Sequence, residues 1–153
     1  MPIFVLTVVG LMLAASAVNA EQVNNYRMCP STSCVVYDLF IDPCPEALYN
    51  QACEWTDNLN TSIAFKYNPE FGANLPKTQL YSETFLMDLP FLNIDSNACL
   101  YTSCPVEKDT EQNWLFNLYV PKDYGKTYYI VKFMFWDTIN YQECCFTFDI
   151  KIV

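Results

Sequence analysis

The side chains best able to do chemistry in this 153-residue chain are Cys29, Cys34, Cys44, Cys53, Cys99, Cys104, Cys144 and Cys145. No two of them have the two-residue gap of a zinc knuckle or a thioredoxin-type redox pair, so neither metal binding nor dithiol catalysis is expected. An even set of thiols reads instead as disulfides, which persist in oxidising compartments. The chain has no histidine, which removes Ser-His and Cys-His nucleophile pairs, histidine-ligated metal and histidine pH switching together. Carboxylate-only catalysis would need a close pair, yet Asp38, Asp42, Asp88, Asp95, Asp123, Asp137 and Asp149 are spread over strand ends. No enzyme, cofactor or metal is expected. A net charge of -9, with only eight Lys and Arg, also excludes nucleic acid as a partner.

Two loops invite local pairing. Cys44 and Cys53 flank eight residues, and Cys99 and Cys104 flank Leu100-Tyr101-Thr102-Ser103. The other four cysteines lie near the two ends of the chain, so at least one bridge is expected to tie an N-terminal strand to the C-terminal one.

The elements that must position these groups are strands. In residues 59–67, Leu59, Ile63, Phe65 and Tyr67 alternate with Asn60, Ser62 and Lys66, the period of a half-buried strand with Asn60 facing outward. The same period runs through Trp114, Phe116, Leu118 and Val120, and through Phe146, Phe148, Ile150 and Ile152. Further strands are expected over 35–41, 80–91 and 128–136, separated by proline-bearing loops. Six or more such strands make an antiparallel sandwich or barrel. With three Trp, eleven Tyr and eleven Phe, the inward faces are bulky. They fit either a tightly packed aromatic core or two sheets held apart around an apolar cavity, and alternation alone does not choose.

Residues 1–20 carry no charged side chain, are almost wholly apolar from Ile3 to Val18, and end in Val18-Asn19-Ala20. They read as a signal peptide cleaved after Ala20, leaving one domain over 21–153. The sequon Asn60-Thr61-Ser62 fits that secreted, extracellular route, with glycosylation expected at Asn60.

The cysteine frame and its neighbours resemble the ML lipid-recognition domain, the family of secreted Niemann-Pick type C two proteins and group-two mite allergens. The marks are Cys29, then Asp42-Pro43-Cys44-Pro45, then the run from Asn97-Ala98-Cys99 to Cys104-Pro105-Val106, then Cys145 in the closing strand. The resemblance covers the whole of 21–153. It implies an immunoglobulin-like β-sandwich of two antiparallel sheets with an apolar ligand cavity between them. It also implies bridges joining Cys29 with Cys145, Cys44 with Cys53, and Cys99 with Cys104. Cys34 and Cys144 are extra to that frame and, with Cys29 joined to Cys145, are the pair left over to bridge each other. Pairing them is awkward if both bridges must reach one neighbouring strand, because consecutive residues point to opposite faces. Either Pro30-Ser31-Thr32-Ser33 loops back, or these two thiols are free or paired otherwise.

Carried over by local pattern, the resemblance implies that Phe91, Val120 and Tyr124 stand at the cavity mouth and that Trp136 ends a long inner strand. Phe65, Phe85, Phe133, Phe135 and Phe148 are the further candidates to line the cavity. Lys122 and Lys126 lie near the expected mouth, where they would either meet a ligand's polar end or be plain solvated surface. The implied activity is carriage of a sterol, fatty acid or similar hydrophobic ligand, as in semiochemical transport in an arthropod. Hand-off to a membrane or receptor protein and a monomeric state are expected with it. The alternatives are intracellular sterol transfer in a lysosome lumen and a lipid-dependent receptor-interaction module. The charge of -9 favours an extracellular fluid over anionic membranes.

Overall fold

A computed structural model describes residues 20–153; the expected signal peptide lies outside the described residues, save for Ala20. Ten strands form two sheets. Strands β1 (Glu21–Gln22), β3 (Cys34–Asp42), β5 (Leu59–Pro69) and β8 (Gln112–Val120) make one, in the order β1-β3-β5-β8. Strands β2 (Arg27–Met28), β10 (Glu143–Ile152), β9 (Tyr128–Trp136), β6 (Lys77–Glu83) and β7 (Asp88–Pro90) follow one another in the second. Strand β4 (Cys53–Trp55) joins the same side of β10 as β2, in parallel, and every other pairing is antiparallel.

Alternation decides which side chains enter the space between the sheets. On β8, Trp114, Phe116, Leu118 and Val120 are buried while the residues between them are exposed or half-exposed. Their partners on β5 are Phe65, Ile63, Thr61 and Leu59, in strict register. From the facing sheet come Val131, Phe133 and Phe135 on β9, and Phe146, Phe148, Ile150 and Ile152 on β10, all buried.

Residues 80–91 do not form one strand. Strand β6 ends at Glu83, and the chain turns through Thr84-Phe85-Leu86-Met87 and returns as β7. The turn is closed by the Thr84 backbone N–H donating to the Met87 carbonyl at 3.2 Å and by the Met87 N–H donating to Thr84 Oγ1 at 3.1 Å. A side-chain hydroxyl here supplies the turn signal that Gly or Asn usually provides.

All eight cysteines are bridged: Cys29 with Cys145, Cys34 with Cys144, Cys44 with Cys53, and Cys99 with Cys104. The vicinal pair Cys144-Cys145 serves two different partners. Cys144 shares the inward face of β10 with Phe146 and Phe148 and reaches across to Cys34 on β3, in the opposite sheet. Cys145 points the other way and reaches Cys29, beside β10 in its own sheet. Between them the chain turns, with Thr32 N–H donating to the Cys29 carbonyl and Ser33 N–H to that of Glu143, before crossing to the other sheet. Opposite parity, an obstacle if both bridges went to one strand, is what two bridges in two directions require.

Candidate functional site

The interior is divided along its length. At one end rings from both sheets touch: Phe65 lies 5.0 Å from Phe133 and 5.1 Å from Phe146, Trp114 lies 4.9 Å from Phe133, and Tyr67 lies 5.2 Å from Phe135. These centroid separations are those of aromatic pairs in contact, so this half is packed core. Burial there pushes the Tyr67 hydroxyl up to about 12, although its bond with Thr102 Oγ1 opposes the shift. Towards the other end the inward positions are aliphatic on most strands: Leu59, Ile63, Leu80, Leu118, Val120, Val131, Ile150 and Ile152, with Phe148 among them.

That aliphatic end is closed by three rings. Phe91, the residue after β7, is almost completely buried. Its ring lies 4.7 Å from Tyr124 and 5.4 Å from Tyr129. Two phenol hydroxyls fix the cluster to backbone: Tyr124 Oη accepts from the Leu92 N–H at 2.7 Å, and Tyr129 Oη donates to the Gly125 carbonyl at 2.9 Å. Leu92 adopts a φ of 57°, a left-handed backbone that a leucine rarely takes, and its N–H is the one held by Tyr124. The tip between β6 and β7, with Phe85, Leu86 and Met87 exposed, lines a groove with Met28, Pro30, Lys132 and Thr147 on the outer side of the second sheet, and Leu89 is exposed on β7.

The sequence-derived candidates therefore separate. Phe91 and Tyr124 are in contact, Val120 is buried on the adjoining end of β8, and Phe148 faces the aliphatic half. Phe65, Phe133 and Phe135 face the inter-sheet space but belong to the packed aromatic half. Phe85 is fully exposed at the hairpin tip and lines no interior. Trp136 stands on the outer face of β9, because the inward residues of that strand are Val131, Phe133 and Phe135 and its register partners are Lys77 and Glu143. Lys126 is engaged with the Val153 carbonyl at 3.0 Å and lies 3.8 Å from Asp57, while Lys122 is exposed. Asn60 is exposed on β5. Tyr129 escaped the sequence reading because 128–136 is apolar on both faces, which hides the alternation that points Tyr129 inward.

Among the described residues no group of three or more His, Cys, Asp or Glu could hold a metal ion, and no helix is long and apolar enough to cross a membrane. Two antiparallel sheets packed around an apolar interior are the architecture of the immunoglobulin-like sandwiches. A family model described as the ML domain matches residues 23–152, and the chain belongs to that family. It is 31% identical over 148 residues to the MD-2-related lipid-recognition protein of Manduca sexta, covering 93% of this chain and 95% of the relative. It is 24% identical over 148 residues to the NPC intracellular cholesterol transporter 2 of Bos taurus, covering 96% and 97%. Among solved structures it resembles a Niemann-Pick type C2 protein from the Japanese carpenter ant, with a TM-score of 0.73 at 17% identity over 84% of this chain and 98% of that one.

Proposed function

We propose that this chain is a secreted, noncatalytic carrier that takes a sterol, fatty acid or similar hydrophobic molecule into the aliphatic half of its sandwich. The observation that carries the reading is the three-ring closure of Phe91, Tyr124 and Tyr129 over that half. Rings held by two hydroxyl-to-backbone bonds can be displaced at modest cost, since each such bond contributes about 1 kcal/mol net. A sterol or acyl chain entering behind them gains ~25 cal/mol per Å² of apolar surface buried, before association costs. The two relatives named for lipid recognition and cholesterol transport support the ligand class. Four disulfides and the charge of -9 support an oxidising, extracellular setting and a carrier that works as a monomer in fluid. The insect relative supports an arthropod role in carrying semiochemicals or sterols.

The test is titration of the delipidated, disulfide-intact protein with dehydroergosterol and with a fluorescent fatty acid. Saturable binding of either, competed by unlabelled ligand, is expected; failure of both would sink the carrier reading.

A second reading, a receptor-interaction module, is favoured by the exposed Phe85-Leu86-Met87 tip, separated from Phe91 by the three residues of β7. Under it, replacing those three residues with serine abolishes receptor engagement and leaves lipid binding in solution unchanged.

A further inference from the structure

Strand β8 ends its sheet, and its outer edge is only half covered. The chain at Tyr101–Thr102 lies along the first part: Leu115 N–H donates to the Tyr101 carbonyl at 2.9 Å, and Thr102 Oγ1 donates to the Asn113 carbonyl at 2.7 Å. These two bonds fix which residues of β8 turn their backbone away from β5. Because N–H and C=O of one residue point the same way and alternate along a strand, Asn113, Leu115, Asn117 and Tyr119 all face the open edge. The cover ends at Leu115. The N–H and C=O groups of Asn117 and Tyr119, and the C=O of Leu115, have no protein partner among the described residues.

This bare ladder faces a groove of about 400 Å³ whose far wall is Leu92, Asn93, Ile94 and Asp95. An unpaired strand edge is ordinarily blunted by a charge, a proline or a covering loop. Here Asn117 and Tyr119 are uncharged, and the first proline is Pro121, beyond the bare stretch. The loop from Leu92 to Asp95 stands opposite the edge without bonding to it.

We propose that the β8 edge from Leu115 to Tyr119 is a strand-addition site for an extended peptide segment of a partner protein. Five open backbone groups in strand spacing match the ladder of an incoming strand and no compact ligand. Alternate residues of that strand meet Leu92, Ile94 and Leu118 on the inner side and Leu115 and Tyr119 on the outer side, so apolar and β-branched residues suit it. Asp95 is the sole charged residue lining the groove, and with the net charge of -9 it favours basic flanks. A second folded copy fits less well, because two copies set edge to edge bring their own Leu92–Asp95 walls together.

The probe is the peptide Lys-Thr-Val-Thr-Val-Thr-Lys, added at millimolar concentration to the mature, disulfide-intact chain, with amide hydrogen exchange read residue by residue. Bare edge amides exchange fast, so pairing slows Asn117 and Tyr119 by tenfold or more, while amides of β1, at the opposite edge of the sheet, do not change. A copy of the peptide N-methylated at alternate residues gives no protection. Asn117→Pro, which removes a donor on the solvent side of an edge strand where proline is tolerated, weakens probe binding at least tenfold; should that variant fail to fold, exchange in the unmodified chain still decides. Unchanged exchange at both amides overturns the proposal. So does concentration-dependent protection without peptide, which would assign the edge to a second copy of the chain.

Discussion

Tyr124 holds Phe91 from two directions: its ring lies 4.7 Å from that of Phe91, and its hydroxyl accepts the backbone N–H of Leu92, the next residue, at 2.7 Å. Ring contact and hydrogen bond act on one short segment, so displacing Phe91 from the end of the sandwich requires Tyr124 to move with it. Tyr129 adds a second ring on Phe91, 5.4 Å away.

Tyr124→Phe keeps the ring and removes only the acceptor. It is expected to cost about 1 kcal/mol of stability, the net worth of one hydrogen bond, and to speed entry and release of a fluorescent sterol several-fold with little change in equilibrium affinity. Tyr124→Ala also removes the ring and is expected to weaken affinity tenfold or more. Stopped-flow fluorescence with dehydroergosterol separates the two. Equal rates for wild type and Tyr124→Phe would deny the hydroxyl a latching role.

Much of this site was legible in the sequence where one face was polar. Alternation in β5, β8 and β10 put Phe65, Trp114, Phe116, Phe146 and Phe148 inward. It failed where both faces are apolar: in 128–136, Trp136 has an even number and cannot share a face with Phe133 and Phe135, yet its size suggests burial. Phe85 misled for another reason. The turn that exposes it is closed by the Thr84 side chain, a signal that depends on three-dimensional geometry more than on residue type. Cys34 with Cys144 is the pair left over once Cys29 joins Cys145, and the bridge is there; what local reasoning did not supply is the chain changing sheets between Cys29 and Cys34, which removes the awkwardness of parity.

The two long bridges span 116 and 110 residues and are nested. Alone, each would restrict the unfolded chain by about 5 kcal/mol in the chain-entropy account. With one in place, the other closes only the short ring through residues 29–34 and 144–145, an increment of about 2 kcal/mol. Replacing Cys34 and Cys144 together by alanine should therefore cost about 2 kcal/mol, and so should replacing Cys29 and Cys145. Removing all four should cost far more than the two losses combined. Denaturant unfolding of the three variants checks this, and simple additivity would refute the nested account.

Asn60 stands exposed on the outer face of β5, while the neighbouring Thr61 is buried and donates its hydroxyl to the Asp42 carbonyl at 3.0 Å. Expression in a glycosylating secretory host should give a chain that loses mass on treatment with an N-glycosidase. Asn60→Gln should abolish that loss while leaving the unfolding free energy within about 0.5 kcal/mol of wild type, as for an ordinary surface substitution. A large destabilisation of the unglycosylated Asn60→Gln chain would contradict the outward placement.

Stability should be level between about pH 5 and 8 and fall at the extremes, and Asp137 accounts for part of the acid limb. Its carboxylate, in the turn from β9 to β10, accepts the backbone N–H of Asn140 at 2.8 Å, that of Ile139 at 3.3 Å, and the Asn140 side-chain amide at 3.0 Å. Chiefly through the Asn140 backbone bond, these contacts hold it below its ordinary value of 3.8, against the opposing effect of burial. A lowered carboxylate contributes stability that is present above the unfolded value and is lost as pH falls through the folded one. Asp137→Ala should therefore be less stable than wild type at pH 6, and the gap should narrow as pH drops below about 4. At the alkaline end Tyr67 behaves oppositely: burial raises it to about 12, so its contribution is complete below 10 and is lost as pH rises towards 12. Thermal unfolding of wild type, Asp137→Ala and Tyr67→Phe from pH 3 to 11 tests both limbs, and a gap between wild type and Asp137→Ala that stays constant down to pH 3 would show that the turn bonds do not depend on the ionised carboxylate.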